Sequence, residues 1–265
     1  MLIDFELTPI EDVVPWGAPG NHSLTWFGLT EGRCWINAGA DTLLEYSEHV
    51  RPNDGDRYCD YYVARIFEDL MNMLSSVLEP VPQDLTKYIS GKSGREWTKT
   101  CEFWSEKNLD DSSGDEIWDT WDNANSLLRD RFMETGYLSP STSILMWSDD
   151  DDVHIEWDNS DKFVDGVLAW SAISGSFHLP REEFVMEVEA FHMRLFTQMK
   201  SRIDQVASGA LRPEIQIDLP GLIAENEQRQ GKFAPILEKR EVTSWDEIRS
   251  AIFEISSDAA SNAQG

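Results

Sequence analysis

The sequence predicts an α+β fold in which an antiparallel sheet packs against several amphipathic helices. β-prone runs lie near the N-terminus and in the middle of the chain. Helical patterns lie between these runs and after them, and no regular alternation of strand and helix occurs. Strands and helices grouped in this way favour antiparallel pairing, whereas parallel sheets are built from alternating βαβ units.

The first quarter of the chain is predicted to contribute an N-terminal hairpin to the sheet. Residues 3–10 have the composition of a strand. Residues 24–29 and 33–37 are both β-prone and are separated by a short segment that contains Gly32, so they are predicted to pair as the hairpin. Residues 43–46 are predicted to add one short strand.

The helices are predicted from apolar residues spaced three and four positions apart. The first spans residues 63–77 and ends before Pro80 and Pro82, which cannot continue a helix. Residues 214–219 are predicted to be extended. The remaining helices are predicted at residues 84–89, 93–107, 115–135, 180–209, 221–239 and 245–255.

The central segment, residues 143–180, is predicted to supply both core and displayed charge. Two β-prone runs flank four consecutive aspartates, and a third run follows at residues 166–173. Side chains at residues 153–158 alternate between apolar and polar, which puts the two kinds on opposite faces of a strand. The apolar face is predicted to meet the core, and the polar face is predicted to be open to a partner. The polar set is His154, Glu156 and Asp158.

One domain is predicted, covering residues 1–256. Residues 257–265 are predicted to form a flexible tail, because they are small and polar and lie at a chain end. The chain has no repeat, long linker or compositional break. The alternative is a two-lobed chain divided near the polar connection at residues 108–114.

Charge is the strongest functional signal. The chain has 49 acidic and 22 basic residues, and its formal net charge is −27. Such a field repels nucleic acid and anionic membrane surfaces and attracts basic proteins. A net charge of about 2–8 in magnitude is enough to keep a small domain soluble. A role in binding a basic partner is therefore predicted, with an acidic surface of no special function as the alternative.

Two acidic clusters are the candidate partner-binding sites. Residues 149–165 contain eight acids and one base, and a basic partner would relieve their mutual repulsion. Residues 115–122 combine acids with tryptophans, the pairing of steering charge and anchor that interfaces use. The alternative for the first cluster is a solvated turn, and the alternative for the second is a solvated helix face with two core tryptophans. The candidate residues are Asp149, Asp150, Asp151, Asp152, His154, Glu156, Asp158, Asp161, Asp115, Trp118, Asp119 and Asp122.

No catalytic residue, metal site or cofactor is predicted. The histidines form no His-Glu-x-x-His motif, and the cysteines form no Cys-x-x-Cys motif. The P-loop, Gly-x-Gly-x-x-Gly and Gly-x-Ser-x-Gly motifs are missing. The four consecutive aspartates lack the spacing of an EF-hand calcium loop. The chain is predicted to be a binding protein, not an enzyme.

A cytoplasmic location is predicted. The N-terminal residues of the chain include acidic side chains, whereas a signal peptide begins with basic ones. No apolar run approaches the roughly 18 residues of a membrane span. The three widely spaced cysteines are predicted to be reduced thiols. No direct contact with nucleic acid or membrane is expected, and the oligomeric state is not predicted.

Residues 3–7, 15–17 and 24–36 resemble the opening of a bacterial family of acidic proteins of unknown function. The resemblance covers less than a fifth of the chain and identifies no site residue. It implies an immunity protein against a type VI secreted or polymorphic toxin. The expected partner is then a basic toxin, with a DNase as the first candidate. The alternatives are a DNA mimic that binds several DNA-binding proteins and a metal-dependent hydrolase that uses clustered acids.

Overall fold

The structure is a computed structural model that describes residues 1–18, 20–51, 56–110, 113–239 and 243–262. It has helices packed against antiparallel sheets, so the predicted α+β class is confirmed. Hydrophobic side chains form two clusters, and the sheet formed within residues 144–180, called the central sheet below, lies between them. No helix in the described ranges is long and apolar enough to cross a lipid bilayer.

The N-terminal sheet is organised around β3 (Glu31–Ala38). β1 (Ile3–Leu7) pairs with one edge of β3. β2 (His22–Ser23) lies outside this sheet. The other edge of β3 pairs with β4 (Asp41–Leu43) and β5 (Asp60–Tyr62).

The predicted hairpin between residues 24–29 and 33–37 is wrong. Residues 28–30 form a 3-10 helix, and β1 occupies the place beside β3. Trp26 is fully buried and donates its indole N–H to Asn226 Oδ1 at 3.0 Å. Its ring also stacks on Phe196. Tertiary contacts of this kind override the local β propensity of the segment.

The central sheet consists of β6 (Ile144–Ser148), β7 (Asp152–Asp158) and β10 (Ser174–Pro180), with β7 in the middle. The two strands predicted around the aspartates are confirmed. The third strand is β10 instead of the predicted run at residues 166–173. Within that run only β9 (Val167–Leu168) is extended, and it pairs with β8 (Phe163–Val164) in a small hairpin.

The helices follow the predicted spacing for most of their length. The predicted helix at residues 84–89 is only a 3-10 turn at Thr86–Tyr88. β11 (Ile215–Gln216) is the extended part of residues 214–219, and it pairs with β2 in parallel. The helices are α1 (Val63–Leu78), α2 (Gly91–Asn108), α3 (Asp115–Arg129), α4 (Arg181–Ala207), α5 (Leu219–Gln230), α6 (Phe233–Glu238) and α7 (Trp245–Asn262).

Three predicted helices differ in extent from the helices of the structure. α3 stops at Arg129 instead of residue 135, because residues 131–133 bond to the edge of β6. The predicted helix at residues 221–239 is two helices, broken at Gly231. α7 continues through residues that were predicted to form a flexible tail, while residues 263–265 lie outside the described residues.

Both faces of the central sheet are covered. One face, with Ile155 and Trp157, joins the main core beneath α1 and α4. The other face, with Leu145 and Trp147, packs in a second core formed by α2, α3 and α7. The helices on either side of residues 108–114 thus share this second core. The three cysteines are buried free thiols.

Candidate functional site

Four of the predicted site residues form one exposed surface on α3. We define the α3 stripe as Asp115, Trp118, Asp119 and Asp122. They lie at helix positions i, i+3, i+4 and i+7, so they share one side of the helix. All four are exposed, and Trp118 is 44% exposed. The opposite side carries the buried residues Ala124, Leu127 and Leu128.

Neighbouring side chains orient the α3 stripe. The Trp118 ring meets the Trp121 ring edge to face, with centroids 6.3 Å apart, and Trp121 packs against the second core. Asp122 forms an ion pair with Arg129 at the end of the helix. Asp115 lies in the first turn of α3, where the helix dipole favours a carboxylate. Within the described chain, the Asp119 side chain has no hydrogen-bond or ion-pair partner.

The second surface is the acidic tip, which we define as Asp149, Asp150 and Asp151, between β6 and β7. The Asp149 carboxylate accepts hydrogen bonds from the backbone N–H groups of Asp151 at 3.0 Å and Asp152 at 2.8 Å. Its other oxygen lies 2.8 Å from His154 Nε2. Burial alone would raise the pKa of Asp149, but these hydrogen bonds lower it to about 2. Asp149 therefore builds the turn, and Asp150 and Asp151 are the exposed acids.

A groove of about 650 Å³ lies beside the acidic tip. The tip lines one side, and the rest of the lining is Val81, Gln83, Thr86, Lys87, Ser90, Ser93 and Trp147. Lys87 is the basic residue among the described lining, and its Nζ lies 4.7 Å from the centre of the Tyr88 ring. The groove is therefore not uniformly acidic.

The prediction that the polar face of β7 is open to a partner is wrong, because α2 packs over it. Glu156 is only 9% exposed. Its Oε2 accepts a hydrogen bond from the backbone N–H of Gly91 at 2.6 Å, and its Oε1 accepts one from Trp147 Nε1 at 3.1 Å. Gly91 is the first residue of α2, so Glu156 caps that helix from a distant strand.

The two other polar residues of this face are also engaged inside the protein. The His154 ring stacks on Trp147 with centroids 4.1 Å apart. Asp158 lies 3.2 Å from Arg95 and accepts a hydrogen bond from the Ser160 hydroxyl at 2.6 Å. Burial would raise the pKa of Asp158, but the contacts with Ser160 and Arg95 lower it. Both residues are half-buried.

The last two predicted residues lie at opposite ends of β7. Asp152 is half-buried at the first position of the strand, paired with Pro180. Asp161 follows the strand, is 73% exposed and lies 3.3 Å from Lys162. A seven-residue strand spans about 20 Å. The structure therefore separates Asp161 from the acidic tip instead of bringing them together.

Sequence reasoning missed Asp69 on α1, a carboxylate whose pKa is raised. Its side chain is 2% exposed. Burial raises its pKa to about 6, although Tyr137 and Arg65 act in the opposite direction. Arg65 four residues earlier was the available signal, because an acid and a base at this spacing often pair on a helix. Within the described ranges, no three His, Cys, Asp or Glu side chains are arranged to hold a metal ion.

The fold and these surfaces define an acidic α+β protein with an aspartate and tryptophan stripe on one helix. Residues 2–251 match the model of DUF5984, which is described as a family of unknown function. The chain therefore belongs to the DUF5984 family. No curated protein and no solved structure was found to match it.

Proposed function

We propose that this protein is a cytoplasmic immunity protein that binds and blocks a basic secreted toxin with nuclease activity, through the α3 stripe. The observation that carries the proposal is the exposed Trp118 surrounded by three aspartates on one side of α3. The net charge of −27 and the N-terminal resemblance to a bacterial family of acidic proteins of unknown function support the choice of partner.

Electrostatics favours a nuclease as the partner. A nuclease has to attract phosphate groups, so the surroundings of its active site are positive. A strongly acidic protein is drawn to such a surface, and steered association reaches about 10⁸–10⁹ M⁻¹s⁻¹ at low salt. Blocking the substrate path needs no catalytic group on the inhibitor.

The α3 stripe suits this role better than the acidic tip. Asp149 is held by two backbone N–H groups and His154, so a partner would compete with the turn for it. Asp119 has no competing side-chain contact within the described residues. Trp118 supplies a large apolar area close to these charges, and tryptophans are prominent among residues that dominate binding energy. The tip is a second contact region in this proposal.

The test compares two triple charge reversals. The stripe variant carries Asp115→Lys, Asp119→Lys and Asp122→Lys. The control variant carries Glu189→Lys, Glu227→Lys and Glu238→Lys, which replace exposed acids on other helices. Both variants change the net charge equally. A difference in affinity between them therefore reports where the changed charges lie and not how many were changed.

The partner is first captured from the native cell with the wild-type protein. We expect one strongly basic protein whose nuclease activity the wild-type protein inhibits at equal stoichiometry. The stripe variant should bind it at least about 100-fold more weakly, with a shallower salt dependence, because close interfacial charge pairs contribute about 1.5–7 kcal/mol each. The control variant should lose far less affinity for the partner.

Three results would contradict the proposal: an acidic or neutral partner, equal losses in the two variants, or binding that ignores salt. Capture of several unrelated DNA-binding proteins would favour the DNA-mimic alternative. Binding of the basic partner without any inhibition of its activity would support the interface but reject the immunity role.

A further inference from the structure

The central sheet has one covered edge and one edge that no other strand covers. β6 forms the covered edge, where its backbone bonds to Val81, Arg131 and Met133. β10 forms the opposite edge, and within the described chain it pairs with β7 alone. All seven residues of β10 are in register with β7, so β10 is a long and regular edge strand.

The direction of the backbone groups of β10 follows from the hydrogen bonds at its two ends. The C=O of Ile173 accepts a hydrogen bond from Asn159 N–H at 2.6 Å, and the N–H of Arg181 donates to the C=O of Asp151 at 3.1 Å. Residues 173 and 181 therefore point toward β7, and alternate residues of a strand point in opposite directions. The residues whose N–H and C=O groups point away from β7, which we define as the open edge, are Ser174, Ser176 and His178.

The open edge is unpaired and unprotected. Within the described residues its backbone groups have no partner on their outer side, and all three residues are exposed. Proteins commonly protect such edges with charged side chains, prolines or bulges, because an unpaired edge is a template for another strand. Between Ser174 and Leu179 the strand has none of these devices, although 27% of the residues of the chain are charged. This edge is therefore available to an added strand.

An exposed apolar groove adjoins the start of the open edge. It has a volume of about 630 Å³ and includes Ile173, the residue directly before β10. Phe163 and Val167 of the β8–β9 hairpin also line it, and Phe163 is 53% exposed. In strand addition the main-chain hydrogen bonds provide affinity, and pockets for side chains provide specificity. The groove can supply such a pocket for an apolar side chain.

The other end of the open edge lies beside exposed acids. Pro180 is paired with Asp152, which directly follows the acidic tip. Glu182 and Glu183 are exposed in the first turn of α4. The guanidinium of Arg181, which lies between Pro180 and these acids, donates to groups inside the protein. This end is therefore complementary in charge to a basic segment.

We propose that β10 binds an extended basic segment of a partner protein, which adds to the central sheet as a further antiparallel strand. Its backbone pairs with the open edge through up to about six hydrogen bonds, since three residues each offer one N–H and one C=O. Its basic side chains lie beside the acidic tip and the start of α4, and an apolar side chain enters the groove at Ile173. This interface is separate from the α3 stripe and does not depend on the immunity role.

The probe is the peptide acetyl-Lys-Lys-Thr-Val-Thr-Val-Thr-Leu-amide, titrated into the full-length protein by calorimetry. When it pairs antiparallel with β10, its lysines lie near the acidic tip and its leucine lies near the groove. We expect binding, which should weaken about tenfold or more when glutamates replace both lysines. Absence of binding, or equal binding of the glutamate peptide, would overturn the proposal.

Two methylated peptides test whether the main chain forms the contact. One carries N-methyl groups on its three threonines, and the other carries them on its two valines and its leucine. Alternate amides of an added strand point in opposite directions, so only one of the two sets faces the open edge. One methylated peptide should therefore lose binding while the other retains it. Equal behaviour of the two peptides would refute strand addition.

Variants of the protein locate the contact. Ser176→Pro removes the central outward N–H, a change that edge strands tolerate, and should weaken peptide binding about tenfold or more. The double variant Asp150→Asn, Asp151→Asn should weaken binding a few-fold. Its matched control, Glu227→Gln with Glu238→Gln, neutralises two exposed acids on other helices and should have less effect. Unaltered binding in Ser176→Pro, or equal effects of the two double variants, would contradict the proposal.

Amide hydrogen exchange of the wild-type protein provides a readout that survives if Ser176→Pro fails to fold. In the free protein the amides of the open edge should exchange fast, whereas those of Gly175, Phe177 and Leu179 face β7 and should exchange slowly. Saturating peptide should slow exchange at the open edge. Slow exchange there in dilute free protein would show that the edge is already covered. Protection that rises with protein concentration would assign the edge to a second copy of the chain and overturn the proposal.

Discussion

Replacing Glu156 should destabilise the protein far more than an acidic surface residue would. Its carboxylate accepts hydrogen bonds from Gly91 at the start of α2 and from the Trp147 indole. Ser90, the residue before α2, contributes no side-chain cap of its own. Glu156 therefore supplies a cap that the local sequence of α2 lacks.

The magnitude follows from these two contacts. A hydrogen bond to a charged group contributes about 1.5–3 kcal/mol, and removing the acceptor leaves the buried Trp147 indole N–H and the half-buried Gly91 N–H unpaired. Glu156→Ala should thus lower the free energy of unfolding by about 3–4 kcal/mol. Each kcal/mol shifts Tm by about 2–4 °C in chains of about 150–250 residues, so a fall of about 10 °C is expected. Glu156→Gln keeps one acceptor oxygen for the two donors, so the loss of unfolding free energy should be about half as large.

Urea unfolding followed by tryptophan fluorescence and scanning calorimetry measure this effect. Glu227→Ala is the matched control, because Glu227 is an exposed helical acid. A loss in Glu156→Ala no larger than that of the control would refute the capping role. It would also reopen the interpretation that the polar face of β7 is available to a partner.

Three further predictions concern other parts of the molecule. The pKa of Asp69 is about 6 in the folded protein and 3.8 for the ordinary, unfolded-state carboxyl group. The folded protein therefore holds this proton more tightly, and the free energy of unfolding should fall by about 2 kcal/mol as pH rises from 4 to 6. Urea unfolding of Asp69→Asn across this pH range should lack that decline. Gly175→Ala should cost about 1–3 kcal/mol in calorimetry, because its new methyl group would lie 2.4 Å from the Trp157 ring. Gly231→Ala, at a residue with φ of −71° and no atom closer than 3.4 Å to the new methyl group, should be nearly neutral. Trp118→Ala should lower the free energy of unfolding by about 1 kcal/mol or less but weaken toxin binding by about 2 kcal/mol or more in titration calorimetry. Equal losses of unfolding and binding free energy would identify Trp118 as a packing residue.

Helices with a strong apolar spacing were predictable from the sequence. The pattern at residues 63–77 and the prolines after it predicted α1 to within one residue at its end. Helical spacing likewise predicted that Asp115, Asp119 and Asp122 share one side of α3, and all three are exposed. In both helices one side is decided by residues within a few turns, so local sequence is sufficient.

The polar face of β7 shows what local sequence does not contain. The alternation correctly separated Glu156 from the apolar residues of the strand. Whether the polar face meets solvent or another element depends on a contact with Gly91, 65 residues away in the chain. Asp69 was missed for the same reason, because its raised pKa comes from burial in the folded protein, which its position on α1 does not reveal. The side of a helix or strand on which a residue lies follows from nearby sequence, whereas the element that packs over that side does not.

The density of acids along the chain is therefore a weaker indicator of a partner site than the absence of an internal partner. The aspartates around β7 are the densest cluster, yet Asp149, Glu156 and Asp158 all accept hydrogen bonds from the protein itself. Those contacts offset the repulsion that a basic partner was expected to relieve. Asp119 receives no such compensation within the described chain, and it lies beside an exposed tryptophan on a helix whose other side is fixed in the core. An acid that the fold does not use, next to an aromatic that the fold does not bury, is the combination that an external partner explains best.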